Sequence, residues 1–497
     1  MEIFSNALSG FQVVLQPVNF LYCFIGVLVG TLIGVLPGIS PAGTIAILLP
    51  STLGVPPVRG IILLAGIYYG AMYGGSTTSI LVNIPGEAAS VVTCLDGYQM
   101  AKKGRAGPAL GIAAMGSFIG GSICILFLMF LVYTLADAAL KFGPPEYFAL
   151  MVGGMSLVVY LARGSVLKAV IMGILGLFLG SIGTDLISGR LRFTLGIPDL
   201  SDGIGLVPVV VGLFGISEVL TNIERTVKAD ILATKITHLF PTREDWKRSI
   251  ASIIRGALLG FALGVIPGGG AVIASFVSYT AEKKISKHPE AFGNGAIEGV
   301  AGPETANNAA SVGAFVPLLA FGIPPNAVMA LLLGALLIYG IVPGPLLVSQ
   351  NPDVFWGLIA SMYLGNIMLL VLNLPLIPLW VKVLKVPYKI LFPLILLFCL
   401  IGTYSISSSV FDILVMVVFG ITGYVLRKYG YEEAPLVLAF ILGPMMEKAF
   451  RQSLIMSNGS PLIFFTRPIS ALGMALSAAV LVSTSITFLR RFRAKLT

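Results

Sequence analysis

Apolar runs of roughly membrane length recur along the whole chain, parted by short polar breaks. A helix that crosses a bilayer needs about 20 mostly apolar residues. Runs of that kind lie near 17–37, 61–82, 109–135, 147–163, 167–185, 204–221, 249–267, 305–322, 326–348, 354–382, 389–407, 411–426 and 469–490. Shorter apolar pieces near 41–54, 270–280 and 434–448 predict re-entrant or half-membrane helices. Runs such as LFLMFLVYTLADAAL (126–140) do not alternate as the strands of a membrane barrel do. The expected fold class is an all-α polytopic membrane protein, with about 10–12 transmembrane helices plus re-entrant or broken helices.

The pattern also repeats. GVLVGTLIGVLPG (26–38) returns 230 residues later as GALLGFALGVIPG (256–268), with Gly26, Gly30, Gly34, Pro37 and Gly38 matched by Gly256, Gly260, Gly264, Pro267 and Gly268. Each is followed by a stretch rich in Gly, Ser, Thr and Asn and then by an Ile-Pro step, Ile84-Pro85 and Ile323-Pro324. Late in each half comes Pro, an apolar run, Gly and Glu: Pro208, Gly215 and Glu218, then Pro435, Gly443 and Glu447. Three landmarks in one order predict a duplicated architecture, residues 1–221 and 249–497, joined by a polar linker at 222–248.

Charge orients the two halves. Of 497 residues 57% are hydrophobic and 11% charged, less than half the roughly 25% charged share of a soluble domain. The net charge of +9 gathers in loops: Lys102, Lys103 and Arg105; the 222–248 segment; EKKISKH at 282–288; and the RRFRAK tail. By the positive-inside rule these are cytoplasmic, and the N-terminus, with no Lys or Arg before Arg59, is outside. The same rule accounts for the basic balance without a nucleic-acid partner. One half then enters from each face, which makes the halves inverted-topology repeats, an organisation of secondary transporters. The opening MEIFSNALSGFQVVLQ lacks a positive n-region, so targeting through the first span is expected.

Composition narrows the chemistry. Four cysteines show no metal-ligand spacing, and the two histidines, His238 and His288, lie in charged loops, which leaves no His-based metal site or Ser-His-Asp triad. No phosphate-binding GxxxxGK[ST] occurs. No cofactor is expected, and the energy for any transport comes from an ion gradient or another subunit.

The glycine stripes read as helix packing. The Pro-Gly breaks read as a site, because a helix can stop within hydrocarbon only where protein or a water-filled cavity satisfies its backbone. ISPAGT and GGAVIAS follow them, each opening a short helix whose N-terminal amides suit an anion. That nominates Gly38, Ser40 and Gly43 on one side and Gly268, Gly269 and Gly270 on the other as substrate-binding. YYGAMYGGSTTSILVNIPGEAAS (68–90) adds Ser76, Thr77, Thr78, Ser79 and Asn83; EGVAGPETANNAAS (298–311) adds Thr305, Asn307 and Asn308. Hydroxyls and amides suit carboxylate oxygens, and with backbone carbonyls also Na⁺, near Ser76–Ser79 and Thr305–Asn308. The structural alternative is hydrogen bonding between helices. Glu87, Glu298 and Glu304, at the cluster edges, are the coupling-ion candidates, unless they lie in an aqueous loop.

Three stretches carry a family resemblance: GVLPGISPAGTIAILLP (34–50), YYGAMYGGSTTSILVNIPGEAASVVTCLDGYQMAKKGRAGPAL (68–110) and GVAGPETANNAASVGAFVPLLAFGIPPNAVMALLLGALLIYGIVPGPLL (299–347). With them the chain resembles, from about residue 15 to 480, the large membrane (permease) subunit of the tripartite tricarboxylate transporters. The resemblance implies uptake across the bacterial cytoplasmic (inner) membrane and a periplasmic solute-binding protein that delivers the substrate. It also implies a small membrane subunit of about four helices, Na⁺ or H⁺ symport, and carboxylate substrates with citrate and other tricarboxylates as the type. It carries over no substrate ligands.

The sequence therefore predicts the permease of a carboxylate:cation symporter with an elevator-like motion. A membrane-embedded lipid-modifying enzyme and a channel are the alternatives. The first lacks a convergent base or metal set, and the second does not call for two inverted broken-helix halves. On this reading Asn83→Ala or Asn308→Ala lowers solute uptake by well over tenfold; unchanged uptake in both removes the two clusters from the site.

Overall fold

A computed structural model of the chain describes residues 2–36, 38–160, 165–185, 187–224, 239–384 and 388–493. Pro37, the end of the expected span 147–163 and most of the linker 222–248 lie outside the described residues. The first half runs through α1 (Glu2–Val14), α2 (Pro17–Val35), α3 (Pro41–Thr52), α4 (Pro57–Val82), α5 (Thr93–Lys102), α6 (Ala106–Ala139), α7 (Pro144–Tyr160), α8 (Val166–Gly180) and α9 (Leu206–Glu224). The second runs through α10 (Arg243–Val265), α11 (Gly270–Ile285), α12 (Glu298–Gly313), α13 (Phe315–Phe321), α14 (Ala327–Ile338), α15 (Pro352–Asn373), α16 (Tyr388–Ser407), α17 (Val410–Lys428), α18 (Ala434–Met456) and α19 (Pro468–Arg493). Among the described residues the strands are a two-residue antiparallel ladder, Gly183 opposite Arg192 and Thr184 opposite Leu191. Among the described residues six helices, α2, α6, α9, α10, α15 and α17, are long and apolar enough to cross a membrane. The chain is an all-α, multi-pass membrane protein.

The glycine stripes explain how the halves are built. An ideal Cβ on Gly26, Gly30 or Gly34 would lie 2.5, 2.5 or 2.3 Å from the carbonyl oxygen of Leu63, Ile67 or Ala71 in α4. On Gly256, Gly260 or Gly264 it would lie 2.5, 2.3 or 2.2 Å from the carbonyl oxygen of Gly302, Ala306 or Ala310 in α12. Only glycine admits this backbone contact. In both pairs the register advances in the same direction along the two helices, so α2 is parallel to α4 and α10 is parallel to α12. The intervening α3 and α11 must then carry the chain back. Each half therefore holds a helical hairpin, preceded by α1 in the first half, whose tip, residues 36–40 or 266–269, is the Pro-Gly break.

The correspondence continues past the hairpins. α4 ends at Asn83, in the left-handed conformation (φ 58°), and Ile84-Pro85 follows. α13 ends at Gly322, also left-handed (φ 70°), and Ile323-Pro324 follows. Each half also packs a helix on the other half's hairpin partner, α6 on α12 and α15 on α4. Likewise α8 packs on α18 and α9 on α17.

Several elements differ from the sequence expectation. The apolar piece 434–448 is not a separate short helix but the first part of the 23-residue α18. It continues because Glu447 and Arg451, one turn apart, pair at 3.2 Å and both pair with the 183–192 hairpin. The span expected at 305–322 begins at Glu298 and is interrupted at Ala314, between α12 and α13. The one at 326–348 ends at Ile338, where Gly340 turns left-handed (φ 74°). The one at 354–382 breaks after Asn373, ahead of Pro375, and resumes as a short helix, Ile377–Val383.

Replacing Gly260 by Val is expected to destabilise the detergent-solubilised protein by about 3 kcal/mol or more, the upper range for overpacking. Leu258→Val, on the exposed face of α10, leaves it within about 0.5 kcal/mol. Thermal unfolding followed by size-exclusion chromatography measures both.

Candidate functional site

The breaks converge. One cavity of about 770 Å³ is walled by Gly38–Ala42 from the first tip and Gly268–Ile273 from the second. Pro85–Ala88, after α4, and Pro325–Val328, after α13, complete the matched set. Tyr68 and Met72 of α4, Phe214 and Glu218 of α9, and residues 432–435 ahead of and at the start of α18 close it. Four chain breaks that are scattered in sequence thus meet around one space, where a broken helix finds the polar company that hydrocarbon withholds.

The tips are held individually. Ser40 caps α3, its Oγ accepting the Gly43 N–H at 3.0 Å. The same Oγ donates to Glu218 Oε2 at 2.7 Å, and the Ser40 N–H donates to Glu218 Oε1. Gly38, left-handed at φ 96°, offers its carbonyl to Asn222 Nδ2. At the second tip Gly268 N–H donates to Pro325 O at 2.9 Å, and Asn326 caps α14 by accepting the Met329 N–H at 2.9 Å.

Four carboxylates line the cavity: Glu87, Glu218, Glu432 and Glu433. Arg427 of α17 pairs with Glu433. An anion at the tips has to trade for bonds that the Ser40, Gly268 and Gly269 N–H groups make to Glu218, Pro325 and Ile266, and the carboxylates call for a cation or protons to accompany it.

Of the residues nominated from sequence, Gly38, Ser40, Gly268, Gly269, Gly270 and Glu87 stand in the cavity wall. Gly43 lies just behind, its Cα facing the Glu218 carboxylate. The hydroxyl clusters lie deeper. Ser76 Oγ donates to Glu304 Oε2 at 2.5 Å and Thr93 donates to Oε1. Asn308 Nδ2 donates to Ser117 Oγ at 2.7 Å and to Glu304 O at 3.1 Å. Thr78 Oγ1 donates to Val35 O at 2.7 Å, satisfying a carbonyl freed where α2 stops. Ser79 bonds Gly75 O and Ser90 Oγ, Thr305 bonds Ala301 O, and Thr77 is buried. Asn83 is an exposed helix end. Glu298 is paired with Arg248 at 2.7 and 2.8 Å at the start of α12. One pair joins cluster to cavity: Asn307 Nδ2 donates to Glu87 Oε1 at 3.2 Å, and the fully buried Asn307 Oδ1 has no partner.

Four contributors escaped the sequence reading. Glu218 served there only as a repeat landmark, although a lone acid in an apolar span is itself a signal. Glu433 and Arg427 carried no motif. Asp96, fully buried, accepts N–H bonds from Gly293, Gly295 and Ala296 at 2.7–2.8 Å and the Tyr279 hydroxyl at 2.9 Å. It thereby fixes the second half's loop ahead of α12.

The sequence profile of the tripartite tricarboxylate transporter TctA family matches residues 20–438. The "Uncharacterized 52.8 kDa protein in TAR-I ttuC' 3'region" of Agrobacterium vitis is 51% identical over 495 residues, covering 100% of this chain and 99% of that protein. The "Uncharacterized protein in TAR-II ttuC' 3'region" of the same organism is 54% identical over 224 residues, 45% of this chain and 93% of that protein. No solved structure matches.

Removing the Glu304 carboxylate strands two buried hydroxyls. Glu304→Ala should therefore cost about 2–4 kcal/mol, and Glu304→Gln, which keeps one acceptor, about half as much. Asn83→Gly should be neutral and Asn83→Val destabilising, because only the first suits a left-handed helix end. Melting temperatures of the four variants check both statements.

Proposed function

The chain belongs to the tripartite tricarboxylate transporter TctA family and is a transporter permease component, and we propose that it imports tricarboxylates or related organic acids by cation symport. The observation that carries this reading is the single cavity walled by both hairpin tips and both Ile-Pro breaks. The substrate carboxylates bind at the two tips, Gly38–Ser40 and Gly268–Gly270, trading for the bonds that the Ser40 and Gly268 N–H groups make to Glu218 and Pro325. The coupling cation, Na⁺ or H⁺, sits by Glu87, where the partnerless Asn307 Oδ1 supplies a second oxygen. Cavity carboxylates make co-transport of positive charge a requirement, since a bare anion beside them is repelled. In the whole system a periplasmic solute-binding protein delivers the acid and a small membrane subunit of about four helices accompanies this chain in the inner membrane. Residues 1–221 and 249–497 act as the two inverted repeats, entering from opposite faces and joined by the cytoplasmic 222–248 linker. The N-terminus is periplasmic and the C-terminus cytoplasmic. The tips move with their hairpins against the long helices, in the elevator manner.

Uptake into vesicles holding the assembled system, with the binding protein added and Na⁺ and pH varied, tests this reading. Saturable uptake that requires the binding protein and rises with one of the two gradients is expected; uptake indifferent to both gradients refutes symport. Ala271→Trp, which fills the cavity from the second tip, lowers uptake by at least about tenfold while the protein remains folded.

A further inference from the structure

The two tips match in sequence but are held by different chemistry. Among the described residues the bonds at the second tip are backbone ones, Gly268 N–H to Pro325 O and Gly269 N–H to Ile266 O, and the first side-chain anchor of its hairpin comes a turn later, Ser275 Oγ to Ala89 O. Side chains of α9 hold the first at two points one turn apart. Glu218 accepts both donors of Ser40, and Asn222 Nδ2 donates to Gly38 O. The helix that presents them is not regular: Val211–Ile216 is a π segment leading directly into Ser217 and Glu218, an irregularity common where a helix serves function. Glu218 itself is 9% exposed, at the cavity wall, and both its oxygens accept hydrogen bonds from Ser40.

We propose that Glu218 is the positioning residue for the first tip: its ionised carboxylate keeps Ser40, and with it the start of α3, on the cavity wall, and neutralising it by a proton releases that tip while the second stays in place. This rests on the reading that the cavity receives carboxylates, whose negative charge at the cavity wall favours the protonated form of Glu218. Ionised, Glu218 accepts two charge-assisted bonds at the N-terminal end of α3, where the helix dipole also favours negative charge. Protonated, it keeps a weaker neutral bond and loses the dipole interaction.

The surrounding charges fit a group that changes state. α17 brings Arg427, with Tyr424 and Lys428 within one turn of it; the segment ahead of α18 brings Glu432 and Glu433; α9 itself carries Glu224. α16 brings Cys399 against Gly215, and α3, with its tip, offers no titratable side chain. Arg427 is engaged by Glu433, so it does not lock Glu218 as a dedicated ion pair.

The test uses the full-length protein in detergent, in a Cys94→Ser background, with one reporter cysteine on each tip: Ile39→Cys or Ala271→Cys, both on the cavity wall. Maleimide labelling rates, each divided by that reporter's thiolate fraction from its own thiolate-absorbance titration, are compared as the ratio of first-tip to second-tip reporter at each pH. Glu218→Gln is expected to raise the ratio by about tenfold at pH 8, the effect of losing a charge-assisted bond. Lowering the pH to 6 raises it likewise in the parent and not in Glu218→Gln. Glu218→Asp, which restores the charge, returns the pH dependence. A ratio that stays constant with pH in the parent and is unchanged in Glu218→Gln overturns the proposal. If Glu218→Gln fails to fold, the parent's pH series decides alone. The labelling needs no substrate, so its failure leaves the carboxylate reading to the uptake assay.

Discussion

Direct backbone contact between parallel helices positions everything at the centre of this protein. α2 lies against α4, and α10 against α12, with no side chain between them at the glycine stripes. That contact forces α3 and α11 to double back and places both Pro-Gly breaks at hairpin tips. It also brings the two Ile-Pro breaks alongside, so that four interruptions share one cavity. A helix interrupted anywhere else in hydrocarbon would leave amides and carbonyls unpaired at a cost of several kcal/mol each.

The polar residues sort into two layers by what they satisfy. The inner layer holds Glu304, Ser76, Thr93, Ser117 and Asn308, whose hydrogen bonds close on one another between helices. Such a network fixes the relative placement of α4, α6 and α12, because each member is costly to leave unpaired. The outer layer faces the cavity, and here partners are incomplete or exchangeable: Asn307 Oδ1 is open, and Glu218 holds Ser40 with bonds that depend on its charge. A carrier needs both, a rigid frame and a wall whose contacts can be traded for a ligand.

Much of this was legible in the sequence, and the reason is geometric. Glycines at intervals of four report a helix face, and Pro-Gly reports an interruption, so the stripes and tips at Gly38 and Gly268 could be read without coordinates. Segment lengths were less legible. The 434–448 piece looks half-length because charge begins at Glu447, yet ion pairs with Asp185 and Arg192 far along the chain let the helix go on. The hydroxyls of Ser76–Ser79 have the right chemistry for a ligand, but composition cannot tell whether a carboxylate they bind belongs to a substrate or to Glu304. Glu218 shows the converse: its partner, Ser40, is 178 positions away, and no local pattern announces it.

The central claim is that the two matched hairpins enter from opposite membrane faces and meet at one cavity. Cysteines at Gly54 (after α3) and Lys287 (after α11), both exposed, report the faces directly in a Cys94→Ser background. In intact cells made permeable only at the outer membrane, a membrane-impermeant maleimide should label Gly54→Cys, and should label Lys287→Cys only once the inner membrane is opened. Labelling of both from the same side contradicts the account.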